Sequence, residues 1–257
     1  MNKKVVYTSI IGEYDTLIQP PAIDESFDYI CFVKKGQCQS RKQGIWSIEE
    51  IPYDCTNDKQ LSAYTKLQPH VVLSQYDYSL WIDGNVSIND IQLYDTINKK
   101  IEEGVIYSGL KHWRSDCAYE DLAEVAFFSK APIFSLYRTL FFLKCKRFPR
   151  HYGLNENNVI FRKHNDQTIM KFDNCWWYLF RKYAKRDQLC HPYCLKKFGI
   201  EFDYLVPEDY CARNHHFFTY VKHYKQPTIR QGISRFIYDF KRKANAKLLK
   251  YLLKIEI

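Results

Sequence analysis

A chain of 257 residues that is 46% hydrophobic and 17% aromatic, with 21 Tyr and 17 Phe, carries enough apolar surface to bury a full core. This excludes a disordered or low-complexity protein. The net charge of +9 is uneven: the segment from Arg230 to Ile257 holds eight basic and two acidic residues, a net +6, leaving +3 for everything before it. A nucleic-acid binder carries its charge as a patch on the folded body, so that class is disfavoured.

No stretch approaches the roughly 20 apolar residues needed to cross a bilayer. The opening MNKKVVYTSIIGEYD lacks the long apolar segment and cleavage site of a signal peptide, so a cytoplasmic protein is expected. Nine cysteines, an odd count, exclude a complete intrachain disulfide framework. The CHPYC stretch from Cys190 to Cys194 lacks a second pair at finger-like spacing, which disfavours zinc there.

The β-branched run Lys4 to Ile11, stopped by Gly12, predicts a buried first strand. Asp28 to Val33 and Trp46 to Pro52 predict two more. Asn57 or Asp58 can cap a helix that runs through Gln68 and ends at Pro69. DYSLWID, ending at Asp83, predicts another strand, Ile91 to Glu103 a helix, and Val105 to Leu110 a strand. Helices are predicted over 119–129, 133–145 and much of 166–198, with a short strand from Val159 to Arg162. Alternating strands and helices imply right-handed crossovers and a mainly parallel sheet covered on both faces.

The sequence contains neither G-x-G-x-x-G nor G-x-x-x-x-G-K-[ST], so no dinucleotide fold or P-loop is supported. The strand before Asp83 ends in Asp-Gly-Asn, which has two readings. These are turn residues. An acid at the carboxyl end of a buried strand also points into the crevice where open α/β sheets bind ligands.

Seven motifs occur in order: YTSIIGEYD at 7–15, DYICF at 28–32, LSAYTKLQPH at 61–70, DYSLWIDGN at 77–85, KHWRSDCAYEDL at 111–122, GLNENNVIFRKHN at 153–165 and RDQL at 186–189. Together they resemble a family of bacterial and plant glycosyltransferase-like proteins that includes the plant mucilage-related and TOD-type proteins. The resemblance spans residues 5–200 and implies a GT-A-like α/β fold. The expected organisation is one catalytic domain over 1–228, followed by a basic amphipathic helical tail over 229–257.

The resemblance further implies transfer of a sugar from a nucleotide-sugar donor to a saccharide or lipid-linked saccharide acceptor, in building a surface polysaccharide. A noncatalytic carbohydrate- or nucleotide-binding protein on the same fold is the alternative. GT-A enzymes stabilise the leaving diphosphate with Mn²⁺ or Mg²⁺ held by an Asp-x-Asp motif, matched here by Asp83, Gly84 and Asn85. Gly84 would let the diphosphate approach the backbone. Asn85 offers a neutral oxygen where the motif has a second acid, which puts metal dependence in doubt. Lys66, Lys111 and Arg114 could supply compensating charge.

Tyr7, Thr8 and Gly12 fall where such a fold holds the nucleoside, with Tyr14 and Asp15 close behind; Tyr7 reads equally as core. His70 is a sugar contact or an ordinary histidine. Asp187 is the expected general base, with Glu156 its rival and a helix cap or surface pair with Arg186 the structural alternative. Trp176 lies on an i, i+3, i+4, i+7 stripe with Leu179, Phe180 and Tyr183 and reads as core. Trp177 lies off that stripe and is the acceptor-stacking candidate. Among His215, His216 and His223, the last is taken as the candidate metal ligand. The tail alternates apolar and basic residues at helical spacing, which fits an anionic membrane surface, on its cytoplasmic side, or a helix packed on the domain.

Overall fold

The structure is a computed structural model that describes residues 2–12, 15–221 and 233–253. The predicted donor residue Tyr14 and the predicted metal ligand His223 lie outside the described residues.

Strand β1 (Lys4–Ser9) is central, because its β-branched residues bury on both faces: Val5 and Tyr7 toward one core, Val6 toward the other. It pairs in parallel with β2 (Phe27–Val33) on one side and β5 (Tyr78–Ile82) on the other. β2 pairs in parallel with β4 (Trp46–Glu50), which carries a two-residue antiparallel edge strand, β3 (Lys42–Gln43). Beyond β5 lie β8 (Asn155–Arg162) and then β7 (Tyr107–Lys111), giving the order β3-β4-β2-β1-β5-β8-β7.

The predicted sheet was mainly parallel; the observed sheet is mixed, because β8 is antiparallel to both β5 and β7. Two helices, α4 (Ala118–Phe127) and α5 (Ile133–Cys145), separate β7 from β8, where a parallel crossover uses one. They return the chain to the sheet end it left, so β8 runs back between its neighbours.

One core packs the sheet against α1 (Asp58–Leu67), α4, α5, α6 (Gln167–Leu179) and α7 (Asp187–Phe198). Asn57 caps α1 by accepting from the Gln60 amide, and Pro69 ends it as predicted, opening a short helix α2 (Pro69–Val72). The other core packs against α3 (Gln92–Glu102), through Leu93, Tyr94 and Ile97, and a small sheet of β6 (Val86–Ile88) and β9 (Phe218–Tyr220). Helix α8 (Ile233–Leu253) lies against α4, burying Ala246 and Leu249.

Candidate active site

Asp-Gly-Asn is both a turn and the bearer of an acid. The Val86 amide donates to the Asp83 carbonyl at 2.8 Å, closing the turn between β5 and β6, while the Asp83 carboxylate accepts from Lys66 Nζ at 3.1 Å and Trp81 Nε1 at 2.7 Å. Lys66, in the last turn of α1, also reaches Asp187 at 2.7 Å, so one buried ammonium bridges two carboxylates. Burial alone would push Lys66 down, but the two carboxylates outweigh it and raise its pKa. Burial would likewise raise Asp187; Lys66 and Arg186 instead hold its carboxyl well below the usual range.

The antiparallel course of β8 brings its polar start to the same sheet end. The Asp83 amide donates to the Asn158 carbonyl at 2.8 Å, and Asn155, Glu156, Asn157 and Asn158 are all buried. Glu156 pairs with Arg213 and accepts from Asn158 Nδ2. Burial raises the Glu156 carboxyl above its ordinary value, with Arg213 opposing. Neither amide atom of the buried Asn157 side chain has a hydrogen-bond partner among the described residues. An amide in that state gains from a polar ligand that reaches it.

Arg213 joins this cluster to a cleft of about 620 Å³ lined by Lys111, Trp113, Arg114, Glu120, Glu208 and Tyr210, among others. Arg114 stacks on Trp113 at 3.9 Å and pairs with Glu124; Lys111 pairs with Glu208 at 2.8 Å. Arg213 lies over both Trp113 and Tyr220. Cations, carboxylates and flat aromatic faces thus share one opening.

Several expectations are corrected. Tyr7 is fully buried and its hydroxyl accepts from Arg162 Nη2 at 2.7 Å, so it is core and not a donor contact. Trp177 is also core, packed on Tyr53, Tyr64 and Phe180, and presents no face to an acceptor. Helix α6 buries two sides, one against α1 and one against α7, so a single stripe undercounts its core. Asp187 is neither a cap nor a partner to Arg186 in a surface pair: it opens α7 with its carboxylate on Lys66, and Arg186 turns to Gln188. His70 sits beside the buried Asp173, the ordinary reading.

Thr8 is buried with its hydroxyl unpartnered. Gly12 adopts φ +64° and donates its amide to Gln37, a conformation that favours glycine at the end of β1. At Gly84 a side chain would meet Ile10 at 2.5 Å, so the missing side chain serves first to seat the turn on the end of β1.

The donor set at the turn fits a divalent cation poorly. Asp83 already shares its charge with Lys66, and Asn85 is buried with its amide nitrogen donating to the Val221 carbonyl, tying the turn to β9's side of the small sheet. His215 accepts from the Phe217 amide and His216 pairs with Asp90.

Sequence reasoning did not find Arg162, which is fully buried and donates to Asp173, Tyr7 and the Lys66 carbonyl. The signal was present as an arginine ending an apolar strand. Arg213 gave no signal, standing outside every motif.

The fold is an α/β fold with a mixed sheet flanked by helices, broadly GT-A-like, and the polar cluster lies at the strand ends where such folds place their ligands. The chain belongs to the TOD1/MUCI70 family: the model of its glycosyltransferase-like domain matches residues 1–223. No curated protein matches the chain. Among solved structures, the apo structure of the bifunctional glycosyltransferase WbbM is similar over 96% of this chain and 44% of its own, with a TM-score of 0.42 and 9% identity. The chain thus spans less than half the length of that protein.

Proposed function

We propose that the protein transfers a sugar from a nucleotide-sugar donor to a saccharide acceptor, with Glu156 as the general base. The observation that supports this reading is the Asp83–Lys66–Asp187 chain beside the Glu156–Arg213 pair, of which Arg213 lines a cleft with aromatic and cationic walls. In transfer, an acceptor hydroxyl loses its proton as its oxygen bonds to the anomeric carbon, and the diphosphate leaves with the electron pair of the broken bond. Arg213, Arg114 and Lys111 are the cations of the cleft wall, and each would have to share its carboxylate partner, Glu156, Glu124 or Glu208, with the charge growing on that diphosphate.

Between the two candidate bases, chemistry favours Glu156. A base works best with a pKa near the operating pH. Asp187, held low by Lys66, is a weak base whose role is to fix the ammonium that in turn orients Asp83. Glu156 is shifted the other way and is paired with Arg213, a residue of the cleft wall.

A binding protein without turnover is the second reading, favoured by the neutralisation of Asp83. A thermal-shift screen of nucleoside diphosphates and nucleotide sugars separates the readings, since a ligand that binds only the native state raises its midpoint. Donor binding with release of nucleoside diphosphate supports transfer. Stable binding without release supports the second reading, and failure of every nucleotide to bind contradicts transfer and leaves of the second reading only a carbohydrate-binding protein.

The same proposal places the protein peripherally on the cytoplasmic face of an anionic membrane, where lipid-linked acceptors reside. Among its described side chains, helix α8 buries Ala246 and Leu249 and leaves Phe240, Leu248, Tyr251 and Leu252 exposed, with Lys243 and Lys247 exposed and Lys250 half-buried among them. Lys144 of α5 donates to the Leu252 carbonyl, joining α8 to a helix that itself exposes Phe141. Apolar side chains ringed by lysines are the composition of an interfacial surface. Among the described residues no helix is long and apolar enough to span the bilayer.

A further inference from the structure

Cys117 is the N-cap residue of α4, and its side chain makes no capping bond, while its amide donates to Ser115 Oγ. Its thiol is buried and reduced. Glu120 stands in the first turn, and His151 stands in the segment that leads from α5 into β8. One ligand atom from each of Cys117, Glu120 and His151 falls within 4.8 Å of the others.

We propose that these three residues bind a thiophilic divalent cation of the zinc class. Both polar ligands are already aimed by a second partner. Asp116 holds His151 Nδ1 at 2.6 Å, which leaves Nε2 facing Glu120 Oε1 at 3.8 Å. Ser115 donates to the other Glu120 oxygen at 2.8 Å. A carboxylate on the far nitrogen of a ligating histidine, and a hydrogen bond on the far oxygen of a ligating carboxylate, are the outer contacts that orient metal ligands. His151 itself is held at φ +50°, a left-handed conformation uncommon for a residue with a side chain.

The ligand types select the ion. One sulfur, one imidazole nitrogen and one carboxylate oxygen suit tetrahedral zinc, whereas Mg²⁺ and Mn²⁺ prefer oxygen donors. With Zn–S near ~2.3 Å and Zn–N near ~2.0 Å, ligand atoms sit roughly 3.3 to 3.7 Å apart, so the trio closes by about an ångström on binding. Thiolate and carboxylate together neutralise the dication, with a fourth position left for water. Because Asp116 and Glu120 line the cleft, a bound ion would fasten the 149–153 segment to the start of α4 and stiffen that wall. The competing arrangement is an ion cluster in which protonated His151 is shared by Asp116 and Glu120, with Cys117 a bystander.

Cobalt and zinc titrations of the metal-free full-length protein distinguish the two, without reference to turnover or nucleotide binding. The expected result is one Co²⁺ per chain with a thiolate-to-cobalt charge-transfer band, displaced by Zn²⁺. That band should vanish in Cys117→Ser and the affinity should fall in His151→Ala, a half-exposed position whose change leaves the core alone. Asp116→Asn should weaken Zn²⁺ binding by about 10- to 100-fold, the usual effect of removing an outer partner. Absence of binding overturns the proposal. So does a charge-transfer band that persists in Cys117→Ser, because the thiolate would then belong to another of the nine cysteines, or an affinity unchanged in His151→Ala.

Discussion

Arg162 organises the interior behind the site, since its guanidinium is fully buried and meets the Asp173 carboxylate at 2.7 Å, the Tyr7 hydroxyl and the Lys66 carbonyl. Arg162→Met is expected to cost about 3 to 5 kcal/mol in urea unfolding, because Asp173 would be left as an unpaired buried charge. Arg162→Met with Asp173→Leu should recover part of that loss, and a double variant no better than the single one would show that the pair is not the source. Asp121 gives a prediction of opposite sign. Burial raises its carboxyl to about 6, and its Oδ2 has no partner. A folded-state pKa above the unfolded value means that its stabilising contribution is complete below about pH 4 and is lost as pH rises through about 6. Asp121→Asn, which resembles the neutral acid, should therefore raise stability at pH 8 by on the order of 1 to 3 kcal/mol and flatten stability against pH between 4 and 6. A destabilised Asn variant at pH 8 would contradict the assigned cost of the charge.

At the level of elements, α8 is where the sequence left two alternatives, and the structure realises part of one. Leu249 and Ala246 pack on α4, while Leu248, Tyr251 and Phe240 remain exposed. Full-length protein is expected to sediment with anionic vesicles and to be released by high salt, with each basic residue near the surface contributing roughly 1 kcal/mol. Leu248→Ser with Tyr251→Ser, which touches only exposed positions, should weaken sedimentation several-fold with an unchanged melting temperature. Binding that is indifferent to those substitutions and to salt would remove α8 from the membrane reading. Helix α5 was legible to the residue, over Ile133–Cys145, because Pro132 precedes it and apolar residues dominate it. Strand β8 was legible only from Val159, because Asn155–Asn158 look like a loop and are instead buried polar residues in a ladder with Leu110 and Lys111. Strands β6 and β9 are three residues each, too short for alternation to register.

Across the whole molecule, the candidate site draws on elements far apart in the chain: Lys66 from α1, Asp83 after β5, Glu156 on β8, Asp187 on α7 and Arg213 before β9. Four of these could be singled out from their motifs, yet their pairing could not. The sequence pattern implied a parallel crossover after β7, and only the antiparallel return of β8 sets Glu156 beside the Asp83 turn. Roles were harder still to read, because Asp187 and Glu156 are both acids in polar motifs and differ only in what surrounds them once folded. Lys66 drives one carboxyl down, and burial drives the other up. That difference is also where the proposed mechanism is most exposed to test. The measurement is the rate of nucleoside diphosphate release from the donor that the binding screen identifies, with saccharide acceptors present, in the wild type, Glu156→Gln and Asp187→Asn. Glu156→Gln is predicted to lower turnover by about 10² to 10⁴ with donor affinity nearly unchanged, and Asp187→Asn to lower it less. Full turnover in a folded Glu156→Gln protein, with the loss falling on Asp187→Asn instead, would contradict the account.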